Sequence, residues 1–360
     1  MSLDAKRFAA LLTDYCLAVK PGQQVLIRSS TAAQELLLEL QRAILEREAW
    51  PALRVELPGE SAAFYQHARD LHLDEFPKLA LDEVKRLDAS LSIQAPTEAF
   101  ELAGVDPARI ARTARARKEL RERTMEKRWC TTLWPTEAAA LRAGMELDDF
   151  SAFVERALFL DQEDPIRSWR GLSAFQGELI DRIGGARTIR IEAEDTDLTL
   201  EVKGRRWVNS DGKRNMPSGE VFTGPVESSA EGHIRFDVPS GPPGRAVSGV
   251  ELVFKGGEVV SHRADEGQEH LDAALATDDG ARRLGELGIG TNFGIDRPIG
   301  AILFDEKIGG TVHLAIGRSY PETGGKNVSA VHWDLICDLR KGGRITADGE
   351  VVQQDGRFVR

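Results

Sequence analysis

Near residue 185 the chain changes its hydrophobic period, and that change limits the folds open to it more than any other feature. Before it, short apolar runs alternate with amphipathic stretches: Gln24 to Arg28, helical spacing over Ala32 to Glu48, Ala52 to Leu57, then Ala89 to Ile93 and Trp129 to Leu133. Strands that alternate with helices imply a parallel, helix-covered sheet. A longer helical segment is expected over Glu146 to Ile183, broken near Pro165. From Thr188 onward the period falls to two, in Thr188 to Ile191, Leu198 to Val202 and Val250 to Phe254. Turn signals separate these runs: Asp211-Gly212, Gly241-Pro242-Pro243-Gly244, Gly256-Gly257 and Asp348-Gly349. One helix is expected among them, from Gln268 to Gly285. The expected fold class is therefore α/β plus α+β. A parallel α/β domain covers 1–185 and a mostly antiparallel, β-rich domain covers 186–360.

Charge and composition exclude several functions for such a chain. A formal net charge of -11 argues against a phosphate backbone as partner. The local basic run Arg109 to Arg128 is interleaved with Glu119, Glu122 and Glu126 and reads as a solvated helix face. Three cysteines, Cys16, Cys130 and Cys337, show no CxxC spacing, so neither a disulfide framework nor a thiolate metal site is indicated. Phe8, Leu11, Leu12 and Tyr15 stand at helical spacing with Asp4 and Asp14 among them, unlike a secretory leader. No run of about 18 apolar residues occurs, so no membrane span is expected and the cytoplasm is the expected compartment. The strands of the first half are not followed by a glycine-rich phosphate loop, which weighs against a dinucleotide cofactor.

The β-rich half holds a set of hard donors: Glu220, Glu286, His313, Tyr320, His332 and Asp334. Carboxylates and imidazoles without thiolates suit Zn, Mn or Co ions that activate water. In Val331-His332-Trp333-Asp334-Leu335 a strand sends His332 and Asp334 to one face and the three apolar residues to the other. Their Cα atoms then lie about 6 to 7 Å apart, close enough to converge on one centre. In Thr311 to Ile316, Val312, Leu314 and Ile316 share the face opposite His313, so His313 points away from the apolar layer. Tyr320 follows past Gly317, where a bend can return its phenol toward the same centre. Glu286 sits among Gly285, Gly288 and Gly290, which permit sharp turns and close backbone approach. Glu220 heads the run Val221-Phe222-Thr223. Taken singly, each is more often a surface or satisfied core residue than a ligand.

Order and spacing together carry more. The segments SGEVFTGP, GELGIGTN, GTVHLAIGRSYPETGGKN, AVHWDL and ADGEVVQQDGRF occur in that order, and with them the chain resembles the M29 family of metalloaminopeptidases, of the aminopeptidase T and aminopeptidase II type. The resemblance is strong over 205–360 and general over the first half. It implies a dinuclear site of two divalent ions (Zn, Co or Mn) held by Glu220, Glu286, His313, Tyr320, His332 and Asp334, with Glu286 bridging them and essential for catalysis. It further implies release of N-terminal residues from peptides by a hydroxide bridging the two ions, and a homodimer. Both the stretch from Glu286 to His313 and the loop from Tyr320 to His332 are shorter than in longer members. The alternatives are a two-metal hydrolase of another amide or dipeptide and a metal-binding protein without catalysis. The resemblance leaves a general base unassigned; Glu251, His262, Asp305 and Glu306 are available, with Asp305-Glu306 in a loop-like stretch.

Overall fold

Five amphipathic positions, Leu36, Leu37, Leu40, Ala43 and Ile44, are buried along the helix Gln34–Glu46, one stripe of a 3.6-residue period. Burying each leucine contributes about 2 kcal/mol, enough to hold the helix on a sheet where its own propensity would not. The sheet beside it is parallel, in the order Trp50–Glu56, Gln24–Ser30, Ala89–Gln94, Arg128–Leu133 and Asn215–Met216. The computed structural model describes residues 3–241 and 246–359, so Pro242, Pro243 and Gly244 of the turn signal lie outside the described residues. Among the described residues no helix is long and apolar enough to cross a membrane.

Two compact units emerge: Met1–Ile166 with Gly212–Pro217, and Arg167–Asp211 with Ser218–Arg360. The division differs from a break at residue 185. Helix Pro165–Ile183 buries Leu179 and Ile183 in the same apolar core as the antiparallel strands, so nearly all of it belongs with them. Conversely, Asn215–Met216 pairs with Arg128–Leu133 and extends the parallel sheet of the first unit. The basic run forms two helices, Pro107–Ala116 and Lys118–Met125, that expose most of their charged residues. Cys16, Cys130 and Cys337 are all buried.

The second unit is built from antiparallel strands. One sheet of eight runs in the order Glu258–Arg263, Val250–Lys255, Glu231–Phe236, Thr196–Glu201, Thr188–Ala193, Arg344–Ala347, Glu350–Gln354 and Arg357–Phe358. A second sheet of five runs His332–Asp338, Thr311–Gly317, Leu284–Gly290, Glu220–Thr223 and Val208–Ser210. Both contribute to one core, Ile191, Leu200, Phe236 and Phe254 from the first and Val221, Leu287, Leu314 and Leu335 from the second. The helix expected from Gln268 to Gly285 stops at Leu275. Asp279–Arg282 makes a 3-10 turn, and Leu284 already begins the strand that carries Glu286. That strand is buried along its whole length, which its glycines permit by close approach rather than by turning the chain.

Candidate metal centre

Alternation along the five-stranded sheet sorts its residues by face. Val221, Leu287, Ile289, Val312, Leu314, Ile316, Leu335 and Cys337 enter the core. The intervening positions Glu220, Glu286, His313, His332 and Asp334 therefore share the opposite face, and they come from four neighbouring strands. Register completes the convergence: Glu286 pairs with Ala315 and Ala315 with Asp334, so only a methyl group stands between the two carboxylates. Gly288 pairs with His313, and a Cβ there would lie 2.1 Å from the imidazole Cε1 and Nε2. The glycine is what lets this ring lie across its neighbouring strand.

Donor atoms of Glu220, Glu286 and His313 lie within 4.8 Å of one another, as do those of Glu286, His332 and Asp334. Glu286 belongs to both groups through different oxygens. Its Oε1 is 3.4 Å from His313 Nε2, and its Oε2 is 3.6 Å from His332 Nε2. His313 Nε2 is also 3.2 Å from Glu220 Oε2, and His332 Nε2 is 3.6 Å from Asp334 Oδ1. The ring of His332 is oriented by its Nδ1, 2.8 Å from the carbonyl oxygen of Arg318, which leaves Nε2 to face the carboxylates. Tyr320, beyond the bend at Gly317, packs its ring against His332 at 4.9 Å and Phe222 at 5.9 Å between centroids. Glu220 is anchored through its backbone by the buried Gln176, whose Nε2 donates to the Glu220 carbonyl at 2.7 Å and to Thr291 Oγ1 at 3.0 Å.

Burial and mutual repulsion raise the proton affinity of several of these groups. Burial, then the charges of Asp334 and Glu220, push the Glu286 carboxyl from 4.5 up to about 7 although His313 opposes this. Burial and Glu306 do the same for Asp334, from 3.8 to about 7. For His313 burial works against the charged form, yet its hydrogen bond to Glu286 and the charges of Glu220 and Glu286 lift it from 6.5 to about 10. Burial and the surrounding carboxylates raise the Tyr320 phenol, which stays protonated. Glu220 Oε2, Glu286 Oε2, His313 Nδ1 and Asp334 Oδ1 are buried with no hydrogen-bonding partner. Buried acceptors left without donors are costly, and an oxygen and nitrogen set of this density fits divalent cations.

Two further residues join the cluster, one of them expected only as a possible general base. Glu306 was one of four general-base candidates, and it forms a third group with His313 and Asp334, again within 4.8 Å. It follows the short helix Ile302–Asp305, not a loop. Lys307, which carried no expectation at all, is completely buried with its Nζ 3.3 Å from Glu220 Oε1 and bonded to Glu306 Oε1. Burial opposes its charge, but Glu220 and Glu306 outweigh burial and hold the ammonium above its ordinary pKa. Lys307 and His313 likewise hold the Glu306 carboxyl below its ordinary value against burial. The Glu-Lys pair between two donor strands was the only signal available. The other candidates lie elsewhere: Glu251 pairs with Arg235 and Arg263, His262 bonds Asp272, and Asp305 accepts from the Ile299 backbone.

Known proteins resemble this chain in both sequence and fold. Aminopeptidase 2 of Geobacillus stearothermophilus is 30% identical, covering 96% of this chain and 94% of its own. Aminopeptidase T of Thermus aquaticus is 28% identical over 72% of this chain and 71% of its own. Among solved structures, wild-type AmpT from Thermus thermophilus superposes with a TM-score of 0.87 at 22% identity, covering 99% of each chain. A 2,5-dihydroxypyridine dioxygenase from Pseudomonas putida shares the fold more loosely, with a TM-score of 0.56 at 16% identity, 99% of this chain and 96% of its own. Because one fold serves both of these proteins, chemistry has to be read from the site. The family model for the thermophilic metalloproteases (M29) matches residues 2–358, and on that near-complete match the chain belongs to the thermophilic metalloprotease (M29) family.

Proposed function

We propose that this protein is a metal-dependent aminopeptidase that releases N-terminal residues from peptides, with two divalent ions, Zn, Co or Mn, held by Glu220, Glu286, His313, Tyr320, His332 and Asp334. The observation that carries the reading is the division of Glu286, one oxygen toward His313 and the other toward His332 and its partner Asp334. A carboxylate so divided suits a bridging role between two centres. Divalent ions in such a centre supply Lewis-acid polarisation of a carbonyl and acidification of water. The chain's own residues do the rest. His332, fixed by the Arg318 carbonyl, presents one nitrogen inward. Tyr320, packed against His332 and Phe222, places its ring beside the donor set. Relatives named aminopeptidases over most of their length favour peptides with a free N-terminus as substrates. A homodimer in the cytoplasm completes the proposal.

The test is hydrolysis of leucine p-nitroanilide by protein stripped with a chelator and titrated with Zn, Co or Mn. Activity should vanish on stripping and return as two equivalents are added. Uptake of two ions without turnover would reject the peptide substrate, and no uptake would reject the centre itself.

A further inference from the structure

We propose that Lys307 is a resident counter-ion of the metal centre, a positioning residue that pairs Glu306 and one oxygen of Glu220 and so keeps Glu306 out of the metal-ligand set. This inference rests on the reading of the cluster as a metal centre.

Three overlapping donor groups are present, and Glu306 enters only the third, with His313 and Asp334. Distance alone would make Glu306 a ligand equal to the others. What separates it is its partner. Its Oε1 is bonded to an ammonium with no exposure at all, and that ammonium also holds Glu220 Oε1 at 3.3 Å. A lysine is almost never fully buried unless paired, and two carboxylates satisfy it here. By taking Oε1 of Glu220, Lys307 leaves Oε2, which has no hydrogen-bonding partner, directed to His313. One ammonium thus sorts two carboxylates, Glu220 into a half-committed donor and Glu306 into an ion pair beside the centre.

Backbone holds the lysine in place. Asn292 N–H donates to the Lys307 carbonyl at 3.0 Å, and Gly309 N–H donates to the Asn292 carbonyl at 2.9 Å. The Asn292 side chain in turn donates to the Ser218 carbonyl at 2.9 Å, two residues before Glu220. The loop that carries Lys307 is therefore tied to the strand that carries its partner. Charge argues the same way. Glu220, Glu286, Glu306 and Asp334 bring four carboxyl groups into overlapping donor groups, and Lys307 supplies a resident cation to two of them.

Full-length wild type, Glu306→Gln and Lys307→Met, each stripped with a chelator, would be titrated with zinc by calorimetry, counted for retained zinc after desalting, and melted with and without zinc. Glu306→Gln should keep the wild-type number of zinc ions, with affinity lowered by about 10- to 100-fold at most, the range typical when a residue that only orients the ligands is changed. Loss of one zinc equivalent in Glu306→Gln would make Glu306 a ligand and overturn the inference. Lys307→Met frees Glu306 for metal, so its zinc-induced rise in Tm should exceed that of the wild type. An equal or smaller rise would reduce Lys307 to a packing role and overturn it as well. If Lys307→Met does not fold, the zinc count of Glu306→Gln decides alone. Wild type that takes up no zinc defeats the metal-centre reading itself, whereas zinc uptake without peptide hydrolysis defeats only the substrate and leaves the role of Lys307 standing.

Discussion

At the scale of the residue, Glu286 is held between two histidines on a buried strand. It is buried, its two oxygens face two different histidines, and its carboxyl is raised to about 7 by burial and by Asp334. Glu286→Gln keeps the shape and removes the charge. It should lower leucine p-nitroanilide hydrolysis by about a hundredfold or more, because Lewis-acid stabilisation is worth several kcal/mol and 1.36 kcal/mol is tenfold. Retained zinc should fall in the same variant, and activity within a few fold of wild type would remove Glu286 from the shared position. Lys307 makes the contrasting case. As a sequence position it is one of 47 basic residues and nothing marks it, while in the fold it lies wholly buried against two carboxylates.

Among the elements, the five-stranded sheet does the assembling. Period-2 alternation sends apolar residues to the core and donors to the other face, and register sets Glu286, Ala315 and Asp334 in one row. The row beside it pairs Gly288 with His313. Gly288→Ala would place a methyl carbon where the imidazole now lies, at 2.1 Å from its Nε2, so the ring has to leave its position. Overpacking of this kind costs about 1–3 kcal/mol, so the fold should survive with a lower Tm. Zinc affinity should drop by about tenfold or more, as for other disturbances of ligand orientation. Wild-type affinity measured by calorimetry would show that His313 is not held by this contact.

For the molecule as a whole, the cluster ties stability to pH and to metal. In stripped protein Glu286 and Asp334 keep their protons to about 7, against 4.5 and 3.8 ordinarily. Between those values the folded chain binds more protons than the unfolded one, so stability falls as pH rises. His313 adds in the same direction: its contribution is complete below 6.5 and is lost as pH climbs toward about 10. Cations compete with these protons for the same atoms, so metal should stabilise more at higher pH. Melting curves at about pH 5.5 and about pH 8.5, stripped and zinc-loaded, should show the zinc-induced rise in Tm widening with pH. A gap that narrows would mean that these groups do not govern the coupling.

Local pattern was enough to read the parallel sheet, the antiparallel strands and the donor types. Periodicity records which face of an element is buried, and strands such as Thr311–Gly317 carry that record in consecutive residues. The helix predicted to reach Gly285 failed because the glycines after Leu275 serve a buried strand, a use that depends on neighbours absent from the local sequence. Convergence of Glu220, Glu286, His313, His332 and Asp334 was inferred from ordered motifs, whereas their distances follow from register between strands far apart in the chain. The sequence by itself determined the alternation that separates core from donors and the residue types on the donor face. That Lys307 stands between two carboxylates followed from the tertiary fold, because a buried charge is specified by the groups that surround it and not by its neighbours in sequence.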